Sequence, residues 1–400
     1  MNSIKRIILV APVYLWLIGG HVLAQRPKQD MQQLINEQFQ FAAAQYKLLD
    51  KNIPQGLTPQ SFDVKTGKSI NKDIQWWCSG FYSGSLWYIY EQTKDEEIKQ
   101  QAENALKVIV PNQTYTGNHD LGFMMYCSFG NAYRLTNNPE YKNIINRSAE
   151  SLFSRYRPSI KAIQSWNKNK FWECPVIVDN MMNLEMLNWV SDNGGDPKFK
   201  KTSIIHANTT LANHFRPDFS SYHVVDYDLQ TGKVIKKATW QGAANCSAWA
   251  RGQAWALYGY TMMYRFTKEE TYLKQANGIA KFILNHPNLP ADKIPYWDFD
   301  APYMPEAKRD ASAGAIMASA LLELAQYAKD TDKVTYKTAA ETMINSLSSD
   351  IYRAKQGENG GFLLMHSTGA LPLNSEIDVP LIYADYYFLE ALLRYKNWYL

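Results

Sequence analysis

The sequence predicts an all-α fold in which helical hairpins form a closed double ring. Two observations carry this prediction: one hairpin-turn pattern recurs along the chain, and its copies are unevenly spaced. In four copies an apolar helix ends near a Tyr, a Thr follows, and an Ile or Tyr comes five residues after that Thr. The pairs are Thr93 and Ile98, Thr136 and Tyr141, Thr267 and Tyr272, and Thr331 and Tyr336. The segment Asp196 to Lys200, with Phe199, is a fifth and degenerate copy.

The spacing of the copies favours a ring over an open solenoid. The anchors at positions 98, 141, 199, 272 and 336 lie 43 to 73 residues apart, which fits one helix pair plus a variable loop in each repeat. A solenoid keeps a nearly constant period, whereas a closed ring tolerates long loops at one end. The long segments 218–241 and 291–309 carry aromatic residues, and the first also has a strand-like piece at 221–226 and a hairpin signal at Thr231-Gly232. Because no linker rich in Pro, Gly or Ser interrupts residues 25–400, we expect one domain.

The N-terminus has the pattern of a secretory signal peptide. Lys5 and Arg6 precede an apolar run over residues 7–20, and a small-residue site predicts cleavage between Ala24 and Gln25. Loss of the two basic residues lowers the net charge from +4 to +2. No basic run remains, which argues against nucleic-acid binding, and no later apolar stretch of about 20 residues predicts membrane insertion. We expect export, with the bacterial periplasm as the destination.

Four dispersed cysteines do not suggest a metal site. Cys78, Cys127, Cys174 and Cys246 form no CxxC pair, and no His lies at zinc-finger spacing from them. We expect small buried thiols, with one disulfide as the remaining alternative. Aromatic residues make up 14% of the chain, including 12 Trp and 26 Tyr. Such a surplus either lines a sugar-binding cleft or reflects Tyr-rich packing, and both interpretations stay open at this point.

Two carboxyl groups are candidates for acid/base chemistry. Asp120 follows His119, Asp179 precedes an Asn, and each stands before an apolar, Met-containing run that predicts a helix. An Asp at a helix start is most often an N-cap, and that alternative stays open. However, a carboxyl among apolar neighbours has its ionised form disfavoured and can donate a proton near neutral pH. Two such groups at one end of a helical ring would form an acid/base pair.

The segment Trp249-Ala-Arg-Gly-Gln-Ala-Trp255 is a candidate sugar-binding element. If it is helical, Arg251 and Trp255 are i,i+4 neighbours on one face. The guanidinium can pair with a carboxylate in fork geometry, and an indole can cover an apolar sugar face. The alternative is a core helix with two buried indoles and an Arg that extends to the surface.

These motifs together resemble a known family. The matching stretches are Trp77-Cys-Ser-Gly-Phe81, His119-Asp120, Val178-Asp-Asn-Met-Met-Asn183, Gln241-Gly242 and the 249–255 segment. On them, the chain resembles the unsaturated glucuronyl hydrolases of glycoside hydrolase family 88, which fold as an (α/α)6 barrel. The related unsaturated rhamnogalacturonyl hydrolases usually carry Arg-Gly-Asn-Gly-Trp where this chain has Arg-Gly-Gln-Ala-Trp. The resemblance covers nearly the whole chain after the signal peptide.

The resemblance implies a reaction and a set of roles. The family removes a terminal 4,5-unsaturated uronic acid from lyase-generated oligosaccharides, here expected to derive from glycosaminoglycans, by hydrating the C4=C5 bond. It implies Asp179 as general acid/base and Asp120 as the second carboxylate, with neither metal nor organic cofactor. The implied substrate-binding residues are Trp77, His119, Trp166, His223, Gln241, Trp249, Arg251 and Trp255. Arg251 would pair with the uronate carboxylate, and Trp172 remains an alternative to Trp166 as a stacking wall. An unsaturated rhamnogalacturonyl hydrolase and a non-catalytic glycan-binding protein are the rival functions.

Overall fold

The computed structural model describes residues 31–400 and forms two concentric rings of helices. The predicted signal peptide at residues 1–24 lies outside the described residues. Among residues 31–400, none of the helices has the length and apolar character needed to cross a bilayer.

The inner ring is closed. Each inner element contacts the next, and the last contacts the first. One of them begins as a π-helix and continues as an α-helix. In chain order the inner elements are α2 (Phe81–Thr93), the π-helix Gly122–Gly130 with α4 (Asn131–Thr136), α6 (Asn180–Asp192), α8 (Ala250–Thr267), α10 (Ala311–Tyr327) and α12 (Ile382–Tyr399).

The outer ring alternates with the inner ring along the chain. Outer helices are amphipathic: in α3, for example, Ile98, Ala102, Leu106 and Ile109 are the buried residues. Inner helices are buried nearly all round, as α10 is from Ala311 to Ala325. The outer helices are α1 (Met31–Asp50), α3 (Glu96–Ile109), α5 (Pro139–Phe153), α7 (Lys198–His214), α9 (Glu270–Asn285) and α11 (Asp330–Leu347). The predicted all-α (α/α)6 architecture is therefore confirmed.

The repeated Thr of the sequence pattern stabilises the short inner-to-outer turns. The hydroxyls of Thr93, Thr136 and Thr267 each donate to the carbonyl four residues earlier and accept the backbone N–H two residues later. Each of these Thr hydroxyls thus gives a carbonyl of the last helical turn a second hydrogen bond and satisfies one N–H of the connection. The fourth Thr of the pattern, Thr331, lies within α11 instead. The hydrophobic anchors that follow lie on the outer helices, as the repeat predicts.

The outer-to-inner connections are long and contain all the strands of residues 31–400. Because inner helices begin where these connections end, the connections lie at the N-terminal end of the inner ring. Their antiparallel pairs are β1 (Thr58–Asp63) with β2 (Lys68–Lys72), β3 (Tyr156–Arg157) with β4 (Ala162–Ile163), and β8 (Ser367–Ala370) with β9 (Ser375–Val379). A three-stranded sheet joins β5 (Pro175–Ile177), β6 (Val224–Tyr227) and β7 (Val234–Ala238). The strand and hairpin predicted within residues 218–241 correspond to β6 and β7.

All four cysteines are free thiols, so the disulfide alternative is not realised. Cys78 and Cys174 are buried as expected. Cys127 is only partly buried and Cys246 is exposed, which differs from the prediction. Cys246 lies in the 215–249 connection, where the backbone runs over the surface rather than through the core.

Candidate active site

Asp120 and Asp179 lie at the N-terminal end of neighbouring inner elements. Asp179 follows β5 and immediately precedes α6, while Asp120 stands two residues before the π-helix. Both side chains face the barrel interior, and each residue is only 8% exposed. The two elements pack so closely that a Cβ at Gly122 would stand 2.5 Å from the Asn183 Cα. Glycine at position 122 therefore allows the two carboxyl-bearing elements to approach each other.

Neither carboxyl serves as a helix cap. Asp179 occupies the N-cap position of α6, but its side chain accepts no capping hydrogen bond. The π-helix after Asp120 also begins without a side-chain cap, and the N–H of Phe123 donates instead to Asn183 Oδ1 at 3.0 Å. The capping alternative therefore does not account for these two residues.

Burial changes the acidity of both groups. Desolvation and the charge of Asp179 raise the pKa of Asp120 to about 8. Desolvation raises the pKa of Asp179 to about 7, although the positive charge of Arg251 and a hydrogen bond from the Trp255 indole oppose the shift. Groups with such pKa values can hold a proton at neutral pH and still release it. The pair therefore has the acidity that acid/base catalysis near pH 7 needs.

A histidine lies beside each carboxyl. His119 Nε2 is 3.4 Å from Asp120 Oδ1, and His223 Nε2 is 3.7 Å from Asp179 Oδ2. Desolvation lowers the pKa of His119 to about 3 and the pKa of His223 well below its usual value. Both imidazoles are therefore neutral at pH 7 and can act as hydrogen-bond donors or acceptors without compensating the carboxyl charge.

Several polar atoms around the carboxyls are buried without a hydrogen-bond partner among the residues that the structure describes. Burying such atoms is costly unless something bonds them. Their concentration here indicates a site built for a ligand that carries many hydroxyls. The atoms are both ring nitrogens of His119, Asp179 Oδ2, Asn180 Oδ1, Asn183 Nδ2, His223 Nε2 and Trp249 Nε1.

The tryptophans predicted as walls occupy different depths. Trp249 is 2% exposed and lies against His223, with ring centroids 4.4 Å apart. Trp255 is fully buried between Phe123 and Tyr387, so it lies beneath Asp179 rather than beside an open space. Trp77 is partly exposed and packs on aromatic side chains of the inner ring.

The choice between Trp166 and Trp172 favours Trp166. Trp166 is partly exposed, and its ring centroid lies 6.3 Å from that of His223. Trp172 is 5% exposed and packs on Trp166 and Trp240. Trp166 is therefore the indole that borders the carboxyl site, and Trp172 supports it.

Arg251 lies in the site but bonds other protein groups. Its Nη1 donates to Asp310 Oδ2 at 2.9 Å and to the Thr368 carbonyl at 2.8 Å, and its Nη2 donates to the Gly369 carbonyl at 2.6 Å. The residue is 1% exposed. This geometry does not favour the predicted pairing with a substrate carboxylate, because both terminal nitrogens already have partners and the guanidinium is enclosed.

Gln241 links β8, the strand that contains Gly369, to the carboxyl site. Its Nε2 donates to the Gly369 carbonyl at 3.0 Å, while its backbone N–H lies 3.3 Å from His223 Nδ1. The Trp240 N–H also donates to His223 Nδ1, at 3.2 Å. Together these two hydrogen bonds orient Nε2 of His223 toward Asp179. Gln241 thus positions both β8 and the imidazole.

Sequence reasoning missed several residues of the site. Asn180 and Asn183 were within a motif but had no assigned role, although their amides face His119 and Asp120. Arg155 was not considered. Its guanidinium binds the carbonyls of Thr116, Gln164 and Ser165, which fixes the loop that carries Trp166. A lone Arg after the end of α5 was the only signal, and it did not reveal those long-range partners.

Comparison with known proteins identifies the family of this chain. Residues 55–388 match the model of Glycosyl Hydrolase Family 88. An unsaturated glucuronyl hydrolase from Formosa agariphila is 44% identical over 96% of this chain and 98% of that protein. A crystal structure of an unsaturated glucuronyl hydrolase specific for heparin has a TM-score of 0.88 and 45% identity, covering 92% of this chain and 98% of the other.

A third match includes a bound sugar. A variant of unsaturated glucuronyl hydrolase from Streptococcus agalactiae, in complex with dGlcA-GalNAc6S, has a TM-score of 0.79 and 28% identity. It covers 94% of this chain and 95% of that chain. The family model and the Formosa relative each span most of the sequence. The chain is therefore a glycoside hydrolase that belongs to family 88.

Proposed function

We propose that the chain removes a terminal 4,5-unsaturated uronic acid from lyase-generated oligosaccharides by hydrating the C4=C5 bond. The observation that carries this proposal is the pair of buried carboxyls, Asp120 and Asp179, to which no Lys or Arg of residues 31–400 bonds directly. Neutral imidazoles and buried polar atoms that can bond hydroxyl or carboxylate oxygens surround the pair, which suits a uronic acid ring.

In the first step Asp179 acts as general acid. The protonated carboxyl transfers its proton to C4, and positive charge develops at C5 and the ring oxygen. The raised pKa makes the protonated form available near pH 7. The Trp255 indole N–H then stabilises the carboxylate that remains, because a hydrogen bond to the charged form lowers its energy.

In the second step Asp179 acts as general base. It takes a proton from water while the water oxygen bonds to C5, which restores the protonated carboxyl. The hemiketal formed at C5 opens by cleavage of its bond to the ring oxygen. The hemiacetal left at C1 then expels the neighbouring sugar as an alcohol. Atoms balance with one water consumed, and no oxidant or reductant is needed.

The other residues hold the ring and tune the acid. Asp120 binds sugar hydroxyls, and His119, His223 and Gln241 bind hydroxyls or the carboxylate. Trp77, Trp166 and Trp249 form the walls, and Trp255 forms the base of the pocket. We assign Arg251 a positioning role: it holds Asp310 and β8 in place, and its charge opposes the upward pKa shift of Asp179.

We propose glycosaminoglycan-derived substrates. Of the relatives compared, one is described as specific for heparin and another is complexed with dGlcA-GalNAc6S. The rhamnogalacturonyl alternative is not favoured, because these matches are to unsaturated glucuronyl hydrolases. We further propose that residues 25–400 act as one catalytic domain after export to the periplasm.

The test follows the ultraviolet absorbance of the conjugated double bond with purified wild-type protein. The substrates are unsaturated disaccharides derived from heparin, chondroitin, hyaluronan and rhamnogalacturonan, and the control is a saturated glucuronide. We expect absorbance loss with at least one glycosaminoglycan disaccharide and no cleavage of the control, which lacks the double bond. Equal cleavage of the saturated control would contradict hydration. No absorbance loss with any disaccharide would favour a glycan-binding protein.

A further inference from the structure

An aromatic cluster lies on one face of the β5–β6–β7 sheet, outside the carboxyl pocket. We call Trp166, Phe171, Trp172, Trp240 and Lys236 the platform. Its rings contact one another in sequence: centroids are 6.4 Å apart for Trp166 and Trp240, and 5.4 Å apart for Phe171 and Trp240. Trp172 supports them from below, 6.0 Å from Trp240.

The platform is continuous with the carboxyl pocket. Trp166 borders His223, and the Trp240 N–H donates to Nδ1 of the same imidazole, whose Nε2 faces Asp179. One end of the platform therefore borders the site formed by Asp179 and His223. The other end, at Phe171, reaches solvent, and that residue is 49% exposed. A sugar chain whose terminal ring lies at Asp179 can extend along the platform toward Phe171.

Two ammonium groups lie against the rings of the platform. Lys236 Nζ lies 4.2 Å from the Trp172 ring centroid and donates to the Phe171 carbonyl at 2.7 Å, which leaves two of its three protons. Lys170 Nζ lies 4.8 Å from the Phe171 ring centroid. In residues 31–400, neither lysine has a carboxylate within 4.0 Å.

The nearby acids are already engaged. Asp226 opposes Lys236 across the sheet, but its oxygens accept the N–H groups of Glu173 and Cys174. Glu173 pairs with Lys168 at 3.1 Å. The positive charge of Lys170 and Lys236 is thus not neutralised locally.

The loop that carries two of the rings is held in place before any ligand binds. Asn169 Oδ1 accepts the N–H groups of Phe171 and Trp172, at 2.8 and 3.2 Å. Arg155 binds the carbonyls of Gln164 and Ser165 on the other side of Trp166. A fixed surface loses little conformational entropy on binding, so these rings are suited to recognition.

We propose that the platform binds the leaving part of the oligosaccharide, and that Lys236 and Lys170 recognise an anionic substituent on it. Aromatic faces cover the apolar side of a sugar ring, and the ammonium groups bind a sulfate or a carboxylate at its edge. This inference rests on the proposed function, since it assumes that the unsaturated ring lies at Asp179.

The test compares K236M with K233M. Met keeps an unbranched apolar side chain close in length to that of Lys while removing the charge. Lys233 is an exposed lysine immediately before β7, the strand that contains Lys236, and serves as the matched control. The substrates are an unsaturated disaccharide with a sulfated leaving sugar, its unsulfated counterpart, and an unsulfated tetrasaccharide whose inner uronate supplies only a carboxylate.

For K236M, we expect KM for at least one anionic substrate to rise about three- to five-fold, consistent with an exposed ion pair. We expect kcat, and KM for the unsulfated disaccharide, to change less than two-fold. The effect should weaken at high salt, and K233M should match the wild type. A rise with the sulfated disaccharide identifies sulfate, and a rise with the tetrasaccharide alone identifies a carboxylate.

Equal effects of K236M on all three substrates, or no effect on any of them, would overturn the proposal. F171S gives a second readout that does not depend on charge: we expect a higher KM for the tetrasaccharide than in the wild type, and an unchanged KM would count against the platform. Thermal melting of each variant identifies any loss of folding. If wild-type protein acts on none of the three substrates, the proposed function fails instead, so the two failures are distinguishable.

Discussion

The two ends of the barrel both bury carboxyl groups, but in residues 31–400 the end with long connections has two, Asp120 and Asp179, that bond no Lys or Arg. At the end with long connections, Asp120 and Asp179 face neutral imidazoles, and their pKa values rise to about 8 and 7. At the end with short turns, Glu323 bonds Arg265 at 2.9 Å and Arg394 at 3.1 Å. These charges hold the pKa of Glu323 below its usual value despite burial.

The short-turn end also contains a cavity of about 530 Å³, lined by residues of the inner helices that include Glu185, Arg265, Glu390 and Arg394. Its acids and bases are paired, as Glu185 is with Arg265 at 2.9 Å. The comparison teaches that open space alone does not indicate reactivity. Desolvation without a bonded cation produces a proton donor, whereas desolvation beside Arg produces a structural ion pair.

The largest expected effect is a loss of activity when one of the two carboxyls without a bonded cation is removed. Asp120→Asn removes the second carboxyl and its hydroxyl-binding capacity while keeping the side-chain volume. We expect kcat/KM for an unsaturated disaccharide to fall by about 100-fold or more, measured from the absorbance of the double bond. Activity within three-fold of wild type would show that Asp120 has no part in the reaction.

The matching change at the other end should affect stability instead. Glu323→Gln leaves Arg265 and Arg394 without their shared carboxylate, and we expect the free energy of unfolding to fall by about 3 kcal/mol. Chemical denaturation measures this. Activity per folded molecule should stay near wild type, and a selective loss of kcat in the folded fraction would contradict a purely structural role.

The pH dependence of the free energy of unfolding also distinguishes the carboxyls at the two ends of the barrel. Burial and the charge of Asp179 raise the pKa of Asp120 to about 8 in the folded protein, which therefore binds this proton more tightly than the unfolded chain does. Wild-type stability from this group is therefore present at low pH and is lost as pH rises toward 8. Asp120→Asn lacks this loss, and we expect its free energy of unfolding to rise by about 4 kcal/mol relative to wild type between pH 5 and pH 8.

Denaturation of both proteins at the two pH values checks this result. Glu323→Gln is the control, because the pKa of Glu323 is lowered rather than raised and its substitution has no reason to stabilise the protein at pH 8. A relative stability of Asp120→Asn that does not change with pH would contradict the raised pKa.

The sequence predicted the ring because the hairpin turns are local. A Thr and a hydrophobic residue five positions later lie on either side of one short turn, so their spacing along the sequence indicates the turn directly. The two carboxyls could also be predicted from the sequence, because each stands directly before an apolar helical segment. The π-helical start of the segment after Asp120 was not predicted, since its hydrophobic pattern does not distinguish it from an α-helix.

The partners of Arg251 could not be predicted, because they are distant in sequence. Asp310 lies 59 residues away and Gly369 lies 118 residues away. The local motif indicated a guanidinium beside indoles, and the structure has it over the rings of Trp249 and Tyr383. The motif could not show that the protein itself supplies the carboxylate. Asn183 is a similar case, since it accepts the Phe123 N–H from 60 residues away.

The most direct test of the central claim uses Asp179→Asn in single-turnover conditions. Tryptophan fluorescence measures binding of an unsaturated disaccharide, and absorbance of the double bond measures its hydration in the same sample. The account predicts binding within a few-fold of wild type and no absorbance loss over many wild-type turnover times, because the amide has no proton to give to C4. Binding followed by absorbance loss at the wild-type rate would contradict Asp179 as the acid.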